Sequence, residues 1–162
     1  MDLVRRFATE EEATFAYDAE RRKAPLVLTR RVEYFGFELD REVDVVDVFP
    51  EGREDEARRV LAEALARGEA RHFSVRDNLP RIDVVREAWR RSGGALPRLN
   101  QSELAALYLD KLRDVHSLTE FKSTDLDLSA ELEARSPRAA RARYDALPSR
   151  TTVRDREVEI DY

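Results

Sequence analysis

Apolar and polar positions follow two different periods along this chain, and the changes of period divide it. Residues 2–23 place Leu3, Val4, Phe7, Phe15 and Tyr17 at turn-like spacings, which predicts a helix. Thr9 followed by Glu12 has the form of a capping box, so a second helix start falls there. Pro25 stops the pattern. Leu26 to Phe35 is rich in β-branched and aromatic residues, and Val32 and Tyr34 alternate with charge, so a strand is expected. Gly36 punctuates it. Phe37-Glu38-Leu39 and Val43 to Phe49 follow as further strands, with Asp40-Arg41-Glu42 as the turn between them. Val46 breaks the alternation of Val43 and Val45, which marks a bulge or a strand end.

Helical periods then take over. Arg53 to Arg67 carries Ala57, Val60, Leu61, Ala64 and Leu65 on one stripe, and Gly68 sits as its C′ residue. A second helix spans about Phe73 to Arg91, with Val75, Leu79, Ile82, Val85 and Trp89 as the expected apolar face. Pro80 lies inside it, so the helix either kinks or starts near Pro80 with Asn78 as cap. Ser92-Gly93-Gly94 ends it. Asn100 with Glu103 has the form of a capping box before Leu104, Leu107, Tyr108 and Leu112. Ser117 with Glu120 marks another start, with Leu118 and Phe121 inward. Asp127 to Ala134 and Pro137 to Leu147 read as short helices. Thr151 to Tyr162 reads as a hairpin whose second arm alternates Val158, Ile160 and Tyr162 with acids. The predicted fold class is α+β: a small antiparallel β element, a central helical bundle and a closing β-hairpin. The alternation ends at Tyr162 without a turn, so a fragment of a longer chain is expected.

Composition changes this picture in three ways. The chain has 162 residues and no cysteine, which removes disulfides, thiolate metal sites and thiol nucleophiles. Its two histidines, His72 and His116, are too few for a multi-histidine metal site. No stretch approaches the roughly 20 apolar residues of a membrane span, and no secretory leader pattern opens the chain, so no membrane partner and a cytoplasmic location are expected. The net charge of −5 is unevenly placed. Glu33 to Glu56 holds ten acids against Arg41 and Arg53, a net of −8. Arg71 to Arg98 and Arg135 to Arg150 are each +4. Of the 29 basic residues only Lys23, Lys111 and Lys122 are lysine.

Motifs that carry chemistry are sparse. The five glycines form neither a phosphate loop nor a dinucleotide fingerprint, and no Gly-x-Ser-x-Gly elbow is present. Asp44 and Asp47, or Glu54, Asp55 and Glu56, are acid–base candidates in principle; a solvated strand face and an acidic first helical turn account for them better. Asp125, Asp127 and Ser129 alternate like calcium ligands but lack the loop's glycine and its final glutamate. His72 and His116 suit helix starts, and Trp89 falls in register with the core. No catalytic, cofactor or metal residue is therefore assigned. The candidate nucleic-acid contacts are Arg86, Arg90, Arg91 and Arg98 near one helix end, and Arg135, Arg138, Arg141 and Arg143 later in the chain. Arginine suits bidentate phosphate contact, which binds without reading sequence.

The order of the pieces carries a resemblance. Val32-Glu33-Tyr34-Phe35-Gly36-Phe37-Glu38-Leu39 is followed by a Val-rich strand and a helix ending Ala64-Leu65-Ala66-Arg67-Gly68-Glu69. Arg76-Asp77-Asn78-Leu79, Val84-Val85-Arg86-Glu87, Ser102-Glu103-Leu104 with Leu107-Tyr108, Val115-His116-Ser117 with Phe121, and Val158 to Tyr162 come next in turn. This order resembles the C-terminal region of bacterial HrpA-like DEAH-box RNA helicases over residues 26–162. Pro80 and Gly93-Gly94 depart from that pattern, and residues 1–25 match none of it. The resemblance implies a helicase accessory domain at 26–162, preceded by the helical segment that the spacing of apolar residues predicts at 1–25. It further implies a non-catalytic role, docking on the motor domains in cis or contacting RNA or a ribonucleoprotein. ATP and magnesium would belong to the parent's motor domains, with no cofactor in this chain. The alternative is a stand-alone cytoplasmic protein-interaction or regulatory module.

Overall fold

The computed structural model describes residues 10–154 and 156–160. Strands β1 (Glu10–Tyr17), β2 (Leu26–Tyr34) and β3 (Phe37–Val45) come first. Helices α1 (Glu54–Ala66), α2 (Phe73–Arg91), α3 (Gln101–Lys111), α4 (Leu118–Ser123), α5 (Ser129–Arg135) and α6 (Arg138–Asp145) follow. Strands β4 (Arg150–Val153) and β5 (Arg156–Glu159) form the closing hairpin. The chain is α+β, with an antiparallel three-stranded sheet before the helices. Asp161 and Tyr162, at the end of the expected hairpin, lie outside the described residues.

β1 replaces part of the helix expected over residues 2–23; residues 2–9 of that expectation lie outside the described residues. Phe15 pairs with Leu28 and Tyr17 with Leu26, so Ala13, Phe15 and Tyr17 alternate onto the core. That pairing outweighs the helical preference of the glutamates and alanines around them. Arg53 fastens the sheet to the helices. Its Nη2 donates to the Ala13 carbonyl at 2.6 Å, and its guanidinium sits 4.8 Å from the Phe15 ring centroid.

β2 and β3 join through Phe35 (φ +50°) and Gly36 (φ +77°). Two consecutive left-handed residues are the geometry of a type I′ hairpin turn, and glycine takes its half without strain. β3 runs unbroken from Phe37 to Val45, so Asp40-Arg41-Glu42 is strand and not the expected turn. These residues pair with Val32, Arg31 and Arg30. They are polar because the outer strand faces water on both sides. The register shifts between Val32 and Glu33, which leaves Leu39 as the extra, bulged residue. The strand ends at Val45, at the phase break, so Val46 to Phe49 are not the strand expected there. The chain then crosses to the helices, where the Phe49 N–H donates to the His116 carbonyl (2.9 Å) and the Leu118 N–H to that of Asp47 (2.8 Å).

α1 ends where Gly68 predicts. Gly68 N–H donates to the Leu65 carbonyl and Glu69 N–H to that of Ala64, a Schellman closure with Gly68 at φ +72°. α2 passes through Pro80 without a break, and His72, not Asn78, is its N-cap. The buried stripe of α2 is Ser74, Asn78, Ile82, Val85 and Ala88. Leu79, expected inward, is exposed, and Val75 and Trp89 are half-buried. Asn78 explains the rotation. Its Nδ2 donates to the Leu126 carbonyl (2.8 Å) and the Tyr108 hydroxyl (3.2 Å), while its Oδ1 accepts from the Leu128 N–H (3.0 Å). The Ser74 hydroxyl accepts from the Leu126 N–H at 3.2 Å. The capping box at Asn100 and Glu103 and the Ser117 cap are both formed. The core joins Phe15, Leu26 and Leu28 of the sheet to Leu61, Ile82, Tyr108, Phe121, Leu126 and Leu132 of the helical half.

Candidate nucleic-acid interface

The arginines named above separate into three kinds of site. α2 delivers Arg86 and Arg90 to one side of its C-terminal end, and the loop to α3 returns Arg98 beside them. With Trp89, Asn100 and Gln101 they line an open groove of about 740 Å³. Gly93 and Gly94 make the return. Gly94 N–H donates to the Trp89 carbonyl, and both glycines have positive φ. A Cβ on Gly94 would stand 3.6 Å from the Trp89 indole nitrogen. The Arg98 guanidinium lies 5.3 Å from the Trp89 ring centroid, a cation–π contact. Arg86 Nε donates to the Leu99 carbonyl at 3.3 Å.

Asp83 and Glu87 also line this groove, so its charge is only mildly positive. Glu87 accepts from Arg91 at 2.8 Å and pairs with Arg90. The hydrogen bond from Arg91 is the main cause holding the Glu87 carboxyl below its ordinary pKa. Arg135 supports the groove from behind. It donates to the Arg98 carbonyl (Nε, 2.9 Å) and pairs with Glu103.

The remaining arginines are placed elsewhere. Arg91 bridges from Glu87 to the Leu147 carbonyl (3.2 Å), tying the end of α2 to the end of α6. Arg141 is largely buried and bonds the Ser136 carbonyl and Glu133. Arg143 folds onto Tyr144, with its guanidinium 4.6 Å from the ring centroid. The Arg138 backbone N–H donates to Glu133 at 2.7 Å. The later cluster therefore does not extend the groove. A neighbouring groove of about 620 Å³ between α1 and α3 has a floor of Ala62, Ala66, Ala105 and Ala106 and a rim bearing Arg59 and Arg67. Asn100 and Gln101 border both grooves. Trp89 and Gln101 are groove residues that sequence reasoning missed. The signal was a tryptophan nine residues before an arginine across a Gly-Gly return.

The other candidate groups are engaged in the fold. Glu54, Asp55 and Glu56 form the acidic first turn of α1, and Arg58 pairs with Asp55 at 2.8 Å. Asp44 pairs with Arg30 at 3.6 Å. Asp127 accepts from the Ser129 hydroxyl and pairs with Arg81 at 2.9 Å. His116 Nδ1 lies 3.1 Å from Arg58 Nη2, which donates to it. His72 Nδ1 accepts from the Ser74 N–H (3.2 Å), and its Nε2–H donates to the Phe121 carbonyl (3.0 Å). The bond accepted by Nδ1 requires the neutral ring, whereas Nε2–H donates in either state. Burial pushes its pKa below the ordinary value, partly offset by the Phe121 bond and Asp125. Among the described residues no group of three or more His, Asp or Glu is gathered as a metal site, and no helix is long and apolar enough to cross a membrane.

Comparison with protein-family models, with curated proteins and with solved structures finds no match to this chain.

Proposed function

We propose that this chain is a non-catalytic accessory domain of a cytoplasmic ATP-dependent RNA helicase of the HrpA-like DEAH-box class, and that it contributes a contact for single-stranded RNA. The motif order of the sequence supports the helicase assignment. The groove supports the RNA contact, and one observation carries it: Arg98 lies over the Trp89 indole while Arg86 and Arg90 stand on the same rim. Guanidinium groups, one of them backed by an aromatic ring, accommodate phosphates and stack on a base without reading sequence.

The test is fluorescence anisotropy of a labelled oligouridylate titrated with the full chain at several salt concentrations. Three phosphate contacts on a single strand predict a slope of log affinity against log salt of about −2. Arg98→Gln is expected to weaken binding by roughly tenfold. No binding at low salt, or a flat salt response, overturns the RNA contact. Deletion of this domain from a parent helicase tests the rest: unchanged RNA-stimulated ATPase, unwinding and partner binding would refute it.

A second reading, a stand-alone protein-interaction module, is favoured by the exposed outer strand β3.

A further inference from the structure

Strand β3 pairs with β2 on one side and, among the described residues, with no strand on the other. None of its residues is buried. Val43 and Val45 are 45% and 49% exposed, and the adjoining turn presents Phe35 and Phe37 at 76% and 72%. From Asp40 to Val45 the strand alternates strictly. Asp40, Glu42 and Asp44 stand opposite Val32, Arg30 and Leu28, so they share one side. Arg41, Val43 and Val45 stand opposite Arg31, Thr29 and Val27 on the other side.

An outer strand offers a row of backbone donors and acceptors to any extended segment. Proteins blunt such edges with proline, bulges or charged side chains, and here the charges select among partners. Here the bulge falls at Leu39, and residues 40–45 contain neither proline nor lysine. Their acids lie on a single side, where Arg30 is the one base of β2, 3.6 Å from Asp44, and the charge of β3 itself there is acidic. Charge of one sign rejects some partners and admits others.

We infer that residues 40–45 of β3 receive an extended segment of a partner protein as a fourth strand, and that this segment alternates basic residues with β-branched apolar ones. Its basic residues meet Asp40, Glu42 and Asp44, and its apolar residues meet Val43 and Val45. The same pattern disfavours the centred pairing of a second copy of this chain. Antiparallel self-pairing centred on Glu42 sets Asp40 against Asp44 and Glu42 against itself, like charges directly opposite. A one-residue slip sets Glu42 against Val43 and Asp40 against Val45, carboxylates pressed on valine, and only its Arg41–Asp44 pairs favour it. The inference develops the protein-interaction reading and holds whether or not the groove takes RNA.

The experiment titrates the full chain with two blocked, labelled peptides of equal composition. One alternates arginine and valine; the other groups its arginines and then its valines. The alternating peptide is expected to bind about tenfold tighter, and amide exchange at residues 40–45 is expected to slow on binding. Combined Glu42→Lys and Asp44→Lys should abolish that preference and transfer binding to an alternating glutamate–valine peptide. Val43→Lys, which leaves the acids in place, should weaken the alternating peptide and spare the grouped one. Equal binding of the two arginine peptides, or a preference that survives charge reversal, overturns the inference. So does a dimer in sedimentation that Val43→Lys dissolves.

Discussion

The segment from Leu126 to Leu128 and strand β3 both lie outside the helices, and they sit in opposite surroundings. Leu126 and Leu128 are fully buried between helices, with no neighbouring strand. Their backbone groups are met by the side chains of Asn78 and Ser74. Among the described residues β3 has a neighbouring strand on one side, and none of its side chains is buried. Buried chain must satisfy each polar group from within the protein, whereas an exposed edge leaves them to solvent. The difference explains two sequence features together. α2 spends buried positions on Ser74 and Asn78 because the 126–128 segment needs partners. β3 carries Asp40, Glu42 and Asp44 because an exposed strand leaves its side chains to solvent.

The comparison breaks most severely at Asn78. Asn78→Ala removes three hydrogen bonds from a fully buried site and leaves the Leu126 carbonyl and the Leu128 N–H without that partner. A loss of roughly 2–4 kcal/mol is expected in urea unfolding, since an unmet buried polar group is costly. A change under about 1 kcal/mol would show that water replaces the amide there.

Acid should act next, again on the helical half. His72 caps α2 as a neutral ring, and its pKa is lowered in the folded chain. Below the ordinary value of about 6.5 the unfolded chain takes up the proton first. Stability is therefore complete above that pH, falls as pH drops through it, and stops falling on this account once the folded ring protonates. His72→Ser keeps a capping oxygen without a titrating ring and should flatten this part of the stability profile. An unchanged profile would contradict the neutral cap.

The smallest effect is expected on β3. Val43→Thr changes an exposed side chain opposite Thr29 and should shift stability by no more than about 0.5 kcal/mol. A larger loss would mean that the outer strand is covered within the protein, and the contrast with the 126–128 segment would fail.

Much of the α+β order was legible because local signals agreed with tertiary ones. Asn100 and Glu103 form their capping box, and Gly68 and Gly93 close helices as their positions imply. Val32 and Tyr34 alternate in a strand that exists. The misread elements are those set by distant residues. β1 depends on pairing with β2, which its glutamates and alanines do not announce. Asp40-Arg41-Glu42 has a turn's polarity because an outer strand also faces water. Asn78 reads as a helix cap beside Pro80, yet its partners lie 30 to 50 residues away. The candidate interface was partly legible for the same reason. Arg86, Arg90 and Arg98 meet because a helix end and a Gly-Gly return are local. Arg91 and Arg135 bond carbonyls 56 and 37 residues away, and Arg141 folds back on the Ser136 carbonyl, contacts that charge alone does not announce.

Amide hydrogen exchange of the full chain, alone and with each probe, tests the division between the two regions most directly. Oligouridylate is expected to slow exchange around residues 86–101 and leave 40–45 unchanged. The alternating arginine–valine peptide is expected to do the reverse. Protection of both segments by either probe, or of neither, would contradict a molecule with an RNA groove on its helices and a strand-accepting edge on its sheet.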